Sequence, residues 1–424
     1  MERRKVTFPF VSRPKVSARA SAAKRDALLE RRLETIVPNL MAREGFEAWV
    51  LIAREYNEDP VLETMLPATW LGTARRRTIL VFTEGGRRRA AISRYPIGPF
   101  PSIWDPTAQP DQWAVLTDHL SAVEGRIGIN VSSVFALADG LTLSEYDGLV
   151  SALPDETAAH LTGAENLAIG WLETRLPEEV VDYRSACALA HGFLRRALSS
   201  EVVTPGTTTT DDIAWWLSDA VSNAGFGSWF HPGVTLQRRG DDTLGTPADG
   251  HQDRTVTRGD LLHIDFGIVT DGYHTDQQQH AYVLGEDETA APESLQRGLV
   301  QGNRLQDILM SEMRVARTGN DVLSSALAQA QDEDIRPIIY THPLGLHGHA
   351  AGTTIGLWDN QQSVEGAGDY PVSLNTGWSV ELAVEIGVSE WDGQTVKIML
   401  EEDAFLSEEG IGFLDGRQTE LWLI

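Results

Sequence analysis

The chain has 424 residues, with 61 acidic against 35 basic side chains and a net charge of −26. That acidic excess speaks against DNA, RNA or an anionic membrane surface as the main partner, and no run approaches the ~18 apolar residues that a membrane-spanning helix needs. Hydrophobic residues make up 42% and charged residues 23%, an ordinary globular balance with length enough for two domains.

The first 26 residues, MERRKVTFPFVSRPKVSARASAAKRD, are basic and lack an apolar signal-peptide core, so residues 1–26 read as a solvated N-terminal arm. Residues 27–45 read as a helix ending at Gly45, followed by a strand over 46–53. TILVFTEGGRRRAAISR (78–94) reads as two strands around a Gly-Gly turn, 126–132 as another strand and 141–154 as another helix. Strands and helices in this alternation predict an α/β layer domain over 27–175. It holds no cluster of Asp, Glu, His or Cys at ligand-like spacing.

Beyond residue 163 the texture changes. Pro177 opens a long helix with acids in its first turn. VVTPGTTTTDDIAWWL then gives a Pro-Gly turn, a Thr/Asp cap and an amphipathic helix. The boundary is placed near 175, with a second domain over 176–424. The single cysteine, Cys187, excludes an internal disulfide framework and fits a reducing, cytoplasmic compartment. Within the apolar stretch from Tyr183 to Leu198 it reads as a buried thiol rather than a nucleophile.

Four segments carry candidate chemistry. GDLLHIDFGIVTDGYHTDQQQHAYVLG (259–285) reads as two strands joined by a tight turn at Asp271-Gly272, with Asp265 and Asp276 each in a β-prone stretch. A carboxylate inside a strand is costly unless paired or bound to a metal; the other reading is one solvent-facing acid per strand. IIYTHPLGLHGHAAG (338–352) holds His342, His347 and His349, and GWSVELAVEIGV (377–388) embeds Glu381 and Glu385 among β-formers. In TVKIMLEEDAFLSEEG (395–410), Glu401 follows an apolar run. Four carboxylates and an imidazole form a hard-oxygen set suited to a pair of Mn, Co or Zn ions. Without cations the four would repel one another and take up protons.

In order and local context these motifs resemble the pita-bread metallopeptidase superfamily of creatinase, prolidase, aminopeptidase P and methionine aminopeptidase. HIDFG and GYHTD are similar to its two Asp motifs, THPLGLHGH to H-x-x-G-x-x-x-H, SVE to its first Glu motif and EED to its last. The resemblance implies a creatinase-type α/β N-terminal domain followed by an α+β pita-bread catalytic domain. It implies two divalent ions, manganese foremost, held by Asp265, Asp276, His342, Glu381 and Glu401. Glu381 would act as general base toward a metal-bridged hydroxide, and His349 would hydrogen-bond the substrate. An alternative alignment through G-H-x-x-G makes His349 the ligand instead. The upstream histidine near the scissile bond corresponds to His251 or to His231.

The implied activity is that of an Xaa-Pro aminopeptidase or dipeptidase on small peptides, working as a homodimer. Two departures keep other readings open. Gln279 and Met399 stand where prolidase-like members carry arginines that clamp a substrate carboxylate. A creatinase-type hydrolase of another C–N bond, or an inactive binding protein on the same fold, therefore stays in view.

Overall fold

A computed structural model describes residues 17–70, 74–241, 243–244 and 253–424. The chain divides into two compact units between Thr174 and Arg175. Among the described residues no helix is long and apolar enough to cross a membrane.

The N-terminal unit opens with a helix over Ala18–Glu44. Residues 18–26, expected in the basic arm, are its first turns. Ser17 caps the helix by accepting the Ala20 N–H at 3.2 Å, and the alanine-rich stretch behind it has high helix propensity whatever its charge. The helix stops at Gly45, whose φ of +70° suits a left-handed cap. Strands β1 (Ala48–Arg54), β2 (Arg77–Thr83), β3 (Arg88–Ile92), β4 (Ile127–Ile129) and β5 (Leu161–Gly163) form one sheet in the order β3-β2-β1-β4-β5. β1 runs antiparallel to β2 and parallel to β4, a mixed α/β layer.

The C-terminal unit is built on a larger sheet. Its strands are β6 (Gly233–Gln237), β7 (Leu261–Phe266), β10 (Gln277–Tyr282), β11 (Pro337–Ile339), β12 (His342–Leu344), β13 (Thr376–Val388), β14 (Gln394–Ser407), β15 (Gly410–Phe413) and β16 (Trp422–Leu423). A two-stranded ribbon of β8 (Val269–Thr270) and β9 (Tyr273–His274) links β7 to β10. Its turn places Asp271 at φ +53° and Gly272 at φ +90°, the paired positive values of a tight hairpin. The sheet order is β11-β13-β14-β10-β7-β6, with β12 beside β13.

Two hairpin halves meet in this sheet, and strand alternation decides what each presents. Leu262 and Ile264 of β7 pack with Phe193 and Leu217 of helices Pro177–Ala197 and Thr210–Ala224. Val380 and Leu382 of β13, with Ile398 and Leu400 of β14, pack with Leu305 and Val322 of helices Glu293–Glu312 and Gly319–Asp332. Since successive side chains point to opposite faces, Asp265, Glu381 and Glu401 must lie on the face turned away from these helices. Register then brings them together. Asp265 pairs with Gln278, Gln278 with Glu401 and Glu401 with Glu381.

Candidate metal centre

Five side chains converge on this face. Ligand atoms of Asp276, His342 and Glu401 lie within 4.8 Å of one another, as do those of Asp265, Glu381 and Glu401. Glu401 is common to both groups. Asp276 and Glu401 are buried, and the other three are half-buried. Burial, and after it the charge of Glu401, pushes the carboxyls of Asp265, Asp276 and Glu381 well above the ordinary carboxylate range. Such crowding is relieved either by protons or by cations.

The histidine is placed to share in a cation site. His342 Nδ1 lies 2.9 Å from the Pro343 carbonyl oxygen. A carbonyl only accepts, so Nδ1 donates to it and Nε2 is the nitrogen turned toward the carboxylates. That Nε2 lies 3.6 Å from Glu401 Oε1 and 3.8 Å from both Asp276 Oδ2 and Glu381 Oε2. Among the described residues it has no hydrogen-bond partner, and neither do Asp265 Oδ1 and Asp276 Oδ1. Lone pairs from imidazole and carboxylate aimed at one another repel, whereas a divalent cation among them satisfies all at once. The residues fit such ions.

Several supporting residues carry no motif. Gln278 donates one amide hydrogen to Glu401 Oε2 at 2.8 Å and the other to Glu381 Oε1. Ser379 donates to Glu401 Oε1. Thr341 grips Glu381 through its backbone, donating Oγ1–H to the carbonyl at 2.9 Å and accepting the N–H at 3.1 Å. Asp403 Oδ1 accepts the Asp276 N–H at 3.1 Å, and its Oδ2 accepts the Cys187 thiol at 3.1 Å. Cys187 is fully buried, as a structural thiol should be, and burial followed by Asp403 pushes its pKa up. The one sequence signal for Gln278 was the polar run from Gln277 to Gln279 in a β-prone stretch, since buried amides are almost always bonded.

The carboxylates open into a cavity of about 690 Å³ inside the C-terminal unit, lined by Asp265, Glu381, His342 and His349 at one end. His349 meets His342 edge to face at 4.8 Å and Trp229 at 5.3 Å. Burial, then His342, lowers its pKa. His231 lines the wall, its ring 4.8 Å from Trp215. His251 lies outside the described residues. Ile338, Tyr340, Leu357, Trp358, Ala383 and Met399 supply apolar wall. Trp49, Trp171 and Trp378 are core residues instead. Of the two arginine departures, Gln279 points to the helix side, donating to Glu402 Oε1 at 2.7 Å, and Met399 faces the cavity.

The chain is similar to an X-Pro aminopeptidase from Thermotoga maritima MSB8, with a TM-score of 0.63 at 18% identity over 91% of this chain and 99% of the other. It is similar to a dipeptidase from Pyrococcus horikoshii OT3, with a TM-score of 0.62 at 17% identity over 93% and 100% of the two chains. The N-terminal domain of the FACT complex subunit SPT16 from Cicer arietinum has a TM-score of 0.59 at 11% identity, covering 93% and 98%. At these identities the likeness shows the fold, the two-domain pita-bread architecture. No curated protein matches the chain significantly. The family model for metallopeptidase family M24 matches residues 182–408, over half of the 424 and spanning all five converging side chains; the chain belongs to this family.

Proposed function

We infer that this protein is a dinuclear metal-dependent aminopeptidase that cleaves the bond before proline in short peptides. The observation that carries the metal half of this reading is the bare Nε2 of His342 facing three carboxylates. Asp276, His342 and Glu401 would hold one ion, and Asp265, Glu381 and Glu401 the other. Manganese suits the oxygen-rich donor set, with cobalt or zinc as substitutes. Bound there, such ions supply Lewis acidity toward a carbonyl oxygen and make water a nucleophile at neutral pH.

The chain's own groups do the rest. Glu381 opens to the cavity and takes the proton released when water attacks, returning it to the leaving nitrogen. His349, beside His342 at the cavity wall, donates an N–H to the substrate oxygen as charge develops on it. The apolar wall suits a proline ring and excludes water from the reacting bond.

Substrate length follows from the cations lining the cavity, Arg254 and Lys397. Arg254 is engaged by Asp241 and Thr243. Among the described residues, Lys397 has only Glu385 Oε1 within ion-pair reach, at 3.9 Å. It shares a strand face with Glu401 four residues away, roughly 13 Å along β14. A dipeptide carries its carboxylate one residue, about 3.5 Å, past the scissile bond. Lys397 therefore suits the carboxylate of a tripeptide or longer chain.

The test is hydrolysis by manganese-loaded protein of Xaa-Pro dipeptides, Xaa-Pro-Yaa tripeptides with free and amidated C-termini, and creatine. Tripeptides should be cleaved before proline. Lys397→Met should raise KM about tenfold for the free acid, with little change for the amide. Turnover of creatine alone would overturn the peptidase reading; equal KM changes for acid and amide would remove Lys397 from recognition.

A further inference from the structure

Gln278 sits on β10 between Asp265 on β7 and Glu401 on β14, and is buried. Its orientation is set by the two carboxylates that it meets, which leaves its oxygen to His263. Thr235 Oγ1 lies 3.3 Å from His263 Nδ1, and His263 Nε2 lies 2.9 Å from Gln278 Oε1. The amide oxygen only accepts, so His263 Nε2 carries the proton, and the threonine hydroxyl donates to Nδ1. The amide NH₂ faces the carboxylates, where both of its hydrogens are used, one on Glu381 Oε1 and one on Glu401 Oε2. A flipped amide would press a carbonyl oxygen against two carboxylates.

Both acceptors belong to the Asp265–Glu381–Glu401 group. In the Asp276–His342–Glu401 group, Asp276 Oδ1 and His342 Nε2 have no hydrogen-bond partner among the described residues. We propose that Gln278 is a built-in substitute for one cation, making the two metal positions unequal so that they fill in order. This rests on the metal reading above. An ion at Asp276–His342–Glu401 engages Asp276 Oδ1 and His342 Nε2, which no hydrogen bond among the described residues uses, and shares Glu401 with the Ser379 hydroxyl. An ion at Asp265–Glu381–Glu401 competes with two charge-assisted bonds from Gln278 for carboxylate oxygens. The amide holds Glu381 and Glu401 in register until the second ion displaces it.

The experiment is a calorimetric titration of chelator-stripped, full-length protein with manganese chloride. Wild type should bind two ions in resolved steps, the second at least about tenfold weaker than the first. Gln278→Ala should narrow that gap about tenfold by tightening the second step, leaving the first within about twofold. Gln278→Met retains the volume without the donors, so it reports the same quantity should the alanine variant fail to fold. Equal steps in wild type would overturn the proposal, as would variants whose second step is unchanged or weaker. Wild-type protein that binds no manganese would overturn the metal reading itself.

Discussion

Both units bury carboxylates, yet they treat them differently. In the N-terminal unit Asp59 accepts the N–H groups of Val61 and Leu62 and the amide of Asn130, and burial still raises its pKa to about 6. Glu145 receives the Arg77 guanidinium at 2.6 Å and 3.2 Å, with Arg54 at 3.4 Å. These acids have donors and serve architecture. In the C-terminal unit, among the described residues, Asp265 and Asp276 each keep a buried oxygen without a donor, beside a histidine nitrogen in the same position. The difference teaches that burial alone does not mark a ligand, whereas buried oxygens left without a donor beside a histidine nitrogen point to a cation.

The largest effect that could break this comparison comes from the two histidines. If His342 is the ligand, His342→Ala should deplete bound metal and abolish turnover together. His349→Ala should keep its metal and lose about 10²–10³ in turnover, because a donor to developing charge matters mainly in the transition state. Metal analysis beside single-substrate kinetics separates them, and the reverse pattern would make His349 the ligand.

A smaller effect sharpens the same contrast through pH. The raised carboxyls bind protons more tightly folded than unfolded, from ordinary values of 3.8 and 4.5. Their contribution is therefore favourable at low pH and is lost as pH rises through the raised folded values. Metal must displace those protons. The thermal-midpoint gap between manganese-loaded and stripped protein should therefore widen steadily from pH 5 to pH 8. Asp59 and His191, whose raised values of about 6 and about 10 also act in this range, cancel in the difference. A gap independent of pH would mean the carboxylates are not crowded.

Much of the sheet was legible because apolar alternation is a local signal. Asp265, Glu381 and Glu401 stand out as acids inside strand patterns, and the strand period alone puts them opposite the helix-facing residues. Gln278, Ser379 and Asp403 were not legible, because their roles depend on cross-strand register, which no single segment encodes. The orientation of the His342 ring depends on the path of its neighbour's carbonyl, likewise a tertiary fact. At the N-terminus, basic charge drew attention from the Ser17 cap and the alanines behind it, and the helix began nine residues earlier than read.

Glu401 and Glu402 bring the comparison to two adjacent residues. Glu401 lies among the candidate ligands. Glu402 faces the helices, accepting from His191 Nε2 at 2.8 Å, Gln279 Nε2 at 2.7 Å and the Gln418 N–H at 2.8 Å. Metal content and thermal midpoint of Glu401→Gln and Glu402→Gln, each purified without chelator, test the ligand assignment most directly. The account predicts that Glu401→Gln loses metal. Glu402→Gln should keep its metal and lose about 1–3 kcal/mol of stability, the cost of disturbing a bonded buried charge. Full metal content in Glu401→Gln, or loss of metal in a folded Glu402→Gln, would contradict it.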